Sequence, residues 1–157
     1  MKKIILFSCT VLVLIMYACS GGTNNSNDKA SEDNATATAV SKYDPHRGEG
    51  KFDHVDVSPA LNTTMADAGK KVYNIKCAAC HKLTDEKLVG PGWSGVTKKL
   101  SAEWIMNFIT NPDVMIDKDP EVQAQLEICL VRMPNQNLTD EDARNIYEFM
   151  RMNDGVK

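Results

Sequence analysis

The chain has 157 residues, a formal charge of −3, 25% charged residues, three histidines and five cysteines. That length holds one compact domain of ordinary size together with a leader or tether. The nearly balanced charge gives nucleic-acid binding no support.

At the start, Lys2 and Lys3 precede an apolar run from Ile4 to Ala18. The run has the length of a secretory h-region and falls short of the roughly 20 residues that span a bilayer. It ends in Met16-Tyr17-Ala18-Cys19, followed by the polar Ser20-Gly21-Gly22. This pattern resembles a lipoprotein signal, which implies cleavage before Cys19 and lipid on its sulfur; plain secretion and an uncleaved anchor are the alternatives. Removing Lys2 and Lys3 with residues 1–18 takes the formal charge from −3 to −5. Cys9 lies inside the apolar run and leaves with it.

From residue 19 to 64 the composition turns to Asn, Ser, Thr, Asp, Glu, Ala and Gly without a helical period, which reads as a flexible linker. Its reach is roughly 35–40 Å, enough to let a small domain turn toward a partner. Within it, Phe52, Val55 and Val57 alternate loosely between Tyr43 and Ala60, the pattern of an extended strap that could lie on the domain. His46 and His54 read as surface histidines of a polar segment, with iron ligation the lesser alternative.

Residues 65–157 form the domain, and no sustained period of two argues for a sheet. The first helix carries Met65, Ala68, Val72 and Ile75 at steps of three and four, with Gly69 offering close backbone approach to another helix and Tyr73 one turn later on the same side, and runs into Cys77-Ala78-Ala79-Cys80-His81. C-x-x-C-H is the pattern of covalent haem attachment. Cys77 and Cys80, three apart, share a face, so both sulfurs reach one porphyrin edge while His81 meets the iron. A redox dithiol calls for a βαβ setting and a zinc site for two more ligands, and neither is found. Next, Ser101 caps a helix bearing Trp104, Ile105, Phe108 and Ile109, which ends at Asn111-Pro112. A third helix runs from about Asp119 to Leu130, with Pro120 in its first turn and Val122, Leu126, Cys129 and Leu130 on its apolar face; Cys129 reads there as a small buried hydrophobe. A fourth begins at Thr139, with Asp142 completing a capping-box variant, and buries Ala143, Ile146, Phe149 and Met150.

From about Ala66 to Met152 these residues resemble the class I monohaem cytochromes c. Gly69 and Tyr73 stand where that family has a Gly and an aromatic ahead of the haem motif. Gly90-Pro91-Gly92 matches its Gly-Pro segment on the proximal side, Met133-Pro134 its distal loop, and Phe149 its aromatic crossing near Gly69. The resemblance implies an all-α small cytochrome c fold, four or so short helices around one covalently bound haem c. It implies that Cys77 and Cys80 carry the haem, that His81 and Met133 ligate the iron, and that the Pro91 carbonyl accepts a hydrogen bond from His81. Met133 alone joins a loop position to a following Pro; Met115, read as lying in the loop after Pro112, and an open position are the alternatives. For Trp93 the expectation is the haem crevice, and for Trp104 core packing.

His with Met fills both axial positions and raises the reduction potential. The function implied is therefore a single-electron carrier of a periplasmic respiratory chain, not an enzyme: a monomer, anchored through lipid on Cys19 to the cell or outer membrane, passing electrons from a membrane donor to a terminal reductase or oxidase. Nitrous oxide reductase is one such acceptor. The alternatives are a haem-based gas-binding protein and a fixed haem subunit of a membrane complex. Seven lysines between Lys70 and Lys99 face only Asp85 and Glu86, whereas six acids between Glu103 and Glu127 face only Lys118. The basic part reads either as a steering surface for an acidic partner or as ordinary solvation.

Overall fold

Two helices from opposite ends of the domain, α1 (Thr63–Lys76) and α6 (Asp140–Asn153), cross in direct backbone contact. The crossing is at Gly69, where a Cβ would stand 2.0 Å from the carbonyl oxygen of Asn145. Only glycine lets the two backbones come this close. The face that α1 buries is accordingly Ala66, Gly69 and Tyr73. This corrects the expected stripe of Met65, Ala68, Val72 and Ile75: the first three are half-buried and Ile75 is 82% exposed. Small residues, not the bulkiest, make a close crossing.

The computed structural model describes residues 43–157, and the readings on residues 1–42, including the signal and Cys19, lie outside the described residues. Between the crossing helices come α2 (Val96–Lys99), α3 (Ala102–Thr110), α4 (Pro112–Lys118) and α5 (Pro120–Cys129). The described residues hold no strand, only an isolated bridge between His81 and Lys87. The expected all-α arrangement of short helices is thus observed among the described residues.

The caps expected from the sequence are in place. Ser101 Oγ accepts from Trp104 N at 3.1 Å, and Thr139 with Asp142 makes the reciprocal capping box of α6. Two helices exceed expectation, α2 and α4. Asn111-Pro112 does stop α3, but Pro112 also occupies the first turn of α4, where its missing N–H costs nothing. Met115 is therefore helical and fully buried, not in a loop. On α5 only Val122 is buried; Leu126 and Cys129 are half-buried, and Leu130 turns outward, 83% exposed at φ 60°.

Of the linker expected over 19–64, residues 43–60, given the option of lying on the domain, take it; residues 61–62 continue the strap, and α1 already begins at Thr63. Polar anchors hold them. The buried Asn107 side chain accepts from Phe52 N (2.9 Å) and donates to the carbonyls of Arg47 and Phe52 (both 3.0 Å), doing for the strap what a neighbouring strand would. Further on, Val55 N donates to Glu103 (2.8 Å) and Asn62 N to Glu148 (2.8 Å), while Arg151 donates to the carbonyls of Ser58 and Pro59. Glu148, with no exposed side-chain surface, also pairs with Arg144 (2.6 Å) and Arg151 (2.7 Å).

Burial opposes the charge on Glu148, but the Asn62 N–H and the two guanidinium groups outweigh it and hold the carboxyl below its usual range. An unfolded chain takes up this proton more readily. The Glu148 contribution is therefore complete above the ordinary Glu value of about 4.3 and is lost as pH falls through the lower folded value. Glu148→Gln is expected to lose about 3 kcal/mol at pH 7 by leaving Arg151 buried without its counter-charge. Denaturant midpoints should show that deficit at pH 7, narrowing toward the acid limb.

Candidate functional site

Where α1 ends, the chain tightens into a turn that presents the C-x-x-C-H residues together. Cys77 N donates to Tyr73 O (2.9 Å), and Cys80 N and His81 N both donate to Cys77 O (3.0 Å). The two thiols are not bonded to each other; Cys77 is buried and Cys80 half-buried. Burial pushes the Cys77 thiol up to about 11. Among the described residues no group of three or more His, Cys, Asp and Glu is placed to hold a metal ion.

His81 is fixed from two sides. Its Nδ1 lies 2.8 Å from the Pro91 carbonyl oxygen. A carbonyl only accepts, so the proton is on Nδ1 and the lone pair on Nε2. Burial lowers the imidazole below its ordinary value, with the Pro91 bond opposing, so the ring is neutral near pH 7 as a metal ligand must be. Gly90 backs the ring: a Cβ there would stand 2.4 Å from His81 Cε1. The loop is held by Val89 N and Gly90 N donating to Cys80 O (3.2 and 2.9 Å) and by Trp93 N donating to Lys82 O (2.9 Å). Tyr73 donates to the His81 carbonyl (2.7 Å) and packs on Trp93 (ring centroids 4.9 Å) and Phe149 (5.3 Å). Trp93, 5.7 Å from the His81 ring, is in the crevice wall as expected.

Cys80, His81 and Pro91 line a cavity of about 260 Å³ whose other walls come mostly from α3, α5 and the loop after α5, with single or paired residues from α2, α4 and α6. Met133 lines it too, and also an adjoining recess of about 40 Å³ that includes Cys77 and His81. Two thiols, an imidazole with free Nε2 and a thioether thus border one apolar space. That donor set fits a covalently attached haem. Met115 does not line the cavity; fully buried, its sulfur accepts from Glu49 N at 3.0 Å. His46 and His54 are exposed and line neither space.

Several features escaped the sequence reading. Cys129 lines the cavity instead of sitting in a sealed core. Trp104 also lines it, with its indole N–H bonded to buried Asp119 (2.8 Å). Of the seven lysines, Lys76 is bonded to the Gln136 carbonyl (2.8 Å), Lys87 to the Ile128 carbonyl (2.9 Å) and Lys82 to Glu86 (2.8 Å). The basic segment is therefore partly engaged in holding the domain's own loops. Spacing alone cannot show such long-range partners.

The model of the cytochrome c family matches residues 66–154. A solved cytochrome c from Rhodothermus marinus is 31% identical, with a TM-score of 0.65 over 67% of this chain and 90% of that one. An engineered form of it, Rma TDE, is 30% identical with a TM-score of 0.64 over the same shares. Among curated proteins, the cytochrome c-type cyt cy of Rhodobacter capsulatus is 41% identical over 49 residues, 31% of this chain. The matched stretch spans only 25% of that relative's length.

Gly90→Ala tests the backing of His81. Its methyl would displace the ring from the Pro91 carbonyl, and the expected cost is about 1–3 kcal/mol. Denaturant unfolding of the haem-loaded protein, followed by its visible spectrum, should register both the lower midpoint and the altered ligation.

Proposed function

The chain belongs to the cytochrome c family and is an electron-transfer protein with covalently bound haem c, and on that premise we propose that His81 and Met133 would both ligate the iron while Cys77 and Cys80 would bear the thioether links. The observation that carries this reading is the meeting of His81 and Met133 on one cavity, with His81 Nδ1 taken up by the Pro91 carbonyl. Bound there, haem supplies a one-electron change between ferrous and ferric iron. His81 contributes Nε2, made more basic by the Pro91 bond. Met133 contributes a soft sulfur that favours the reduced state. With both positions filled, no substrate coordinates, and outer-sphere transfer remains. The packing of Tyr73, Trp93 and Phe149 keeps rearrangement on each transfer small.

The setting we propose is a periplasmic respiratory chain, with lipid on Cys19 as the anchor and the segment up to residue 42 as the tether. No helix of the described residues is long and apolar enough to cross a membrane. Donor and acceptor are redox proteins, a membrane donor and a terminal reductase or oxidase, with nitrous oxide reductase as one candidate acceptor.

The reduced parent protein should not bind carbon monoxide, whereas Met133→Ala should bind it and lose on the order of 0.1 V or more of reduction potential. Binding of the gas by the parent would instead favour a gas-binding protein. In cells, Cys19→Ser should move haem-loaded protein from the membrane to the soluble fraction, as fractionation with a haem stain would show.

A further inference from the structure

Asp119 is 2% exposed and collects four donors. The Trp104 indole N–H (2.8 Å) and the Tyr43 hydroxyl donate to Oδ2, and Glu121 N (2.8 Å) and Val122 N (3.1 Å) donate to Oδ1. The indole and the two backbone N–H groups can only donate, so both carboxyl oxygens serve as acceptors, as those of a carboxylate do. None of the ion pairs among the described residues includes it. Its charge is met by dipoles alone. Those dipoles come from the strap, from α3 and from the first turn of α5, and three of the bonded residues, Trp104, Glu121 and Val122, line the haem cavity.

From this geometry we infer that Asp119 is a buried anion, one indole away from the haem, that fixes the Trp104 wall of the cavity and holds the reduction potential down. The ferric cofactor carries one more positive charge than the ferrous, so a fixed negative charge nearby favours the ferric state. Burial leaves salt little power to screen the effect. Tyr43 is pushed above its ordinary value by burial and by Asp119, so its phenol stays protonated and continues to donate. Asp119 is a positioning residue: it acts through Trp104 and through its field, without touching the haem. The same bond gives the strap a hold on the cavity wall.

The test is a redox titration of the haem-loaded protein at low and high ionic strength, comparing the parent with Asp119→Asn. The neutral side chain should raise the potential, so that the ferrous fraction at a fixed ambient potential below the midpoint grows several-fold. The gap should survive high salt, and the near-infrared signature of thioether ligation should persist. Asp119→Ser is the second variant, because Ser caps a helix about as well and keeps α5 seated if Asn does not. Tyr43→Phe removes one donor but keeps the charge, and its potential should not rise. A neutral variant that retains thioether ligation with an unchanged or lower potential would overturn the inference. So would an equal rise in Tyr43→Phe, which would assign the effect to the strap contact and not to the charge.

Discussion

The contact on which the rest of the molecule depends is the approach of α1 to α6 at Gly69. The end of α1 delivers Cys77, Cys80 and His81, and the start of α6 takes up the chain from the Met133 loop. One backbone contact therefore sets both sides of the haem cavity relative to each other. Tyr73, one turn beyond Gly69, extends the crossing into the site by bonding the His81 carbonyl and packing between Trp93 and Phe149. Packing and ligand geometry are here the same set of residues.

Around that crossing, polar groups do much of the fastening. Asn107, Asp119 and Glu148 are all buried, and each joins the strap of residues 43–62 to a helix. A small domain built around a cofactor has little apolar surface to spare, and hydrogen bonds from fully satisfied side chains specify where an irregular segment lies. The strap in turn covers α3 and α4: at Gly48 a Cβ would stand 2.7 Å from the Met115 sulfur. That close seat, with the Glu49 N–H on the same sulfur, explains why Met115 is core.

What was legible in the sequence was whatever a few neighbouring residues decide. The C-x-x-C-H turn, the bond from His81 to Pro91 and the caps at Ser101 and Thr139 all have local signatures and are found in the structure, and Met133, the proposed distal ligand, borders the same cavity. The buried face of α1 did not follow from hydrophobic counting, because a crossing at Gly69 selects the smallest residues. Pro112 read as a stop, and a proline that ends one helix while opening the next carries no separate mark. The strap showed in the alternation of Phe52, Val55 and Val57, but its polar anchors and the role of Asp119 were illegible for another reason: most of their partners lie tens of residues away, and polar side chains leave no periodic trace. Leu130 broke the α5 pattern because the helix ends there in a left-handed residue, whose side chain points away from the face.

The central claim is that Met133 completes the iron's coordination opposite His81. The most direct measurement is the near-infrared absorption spectrum of the ferric protein at neutral pH, where charge transfer between a thioether sulfur and ferric haem iron gives a weak, characteristic band. With Met133 on the iron, the band should be present. A low-spin ferric protein without it would contradict the claim, since another group, or none, would then stand where Met133 is placed.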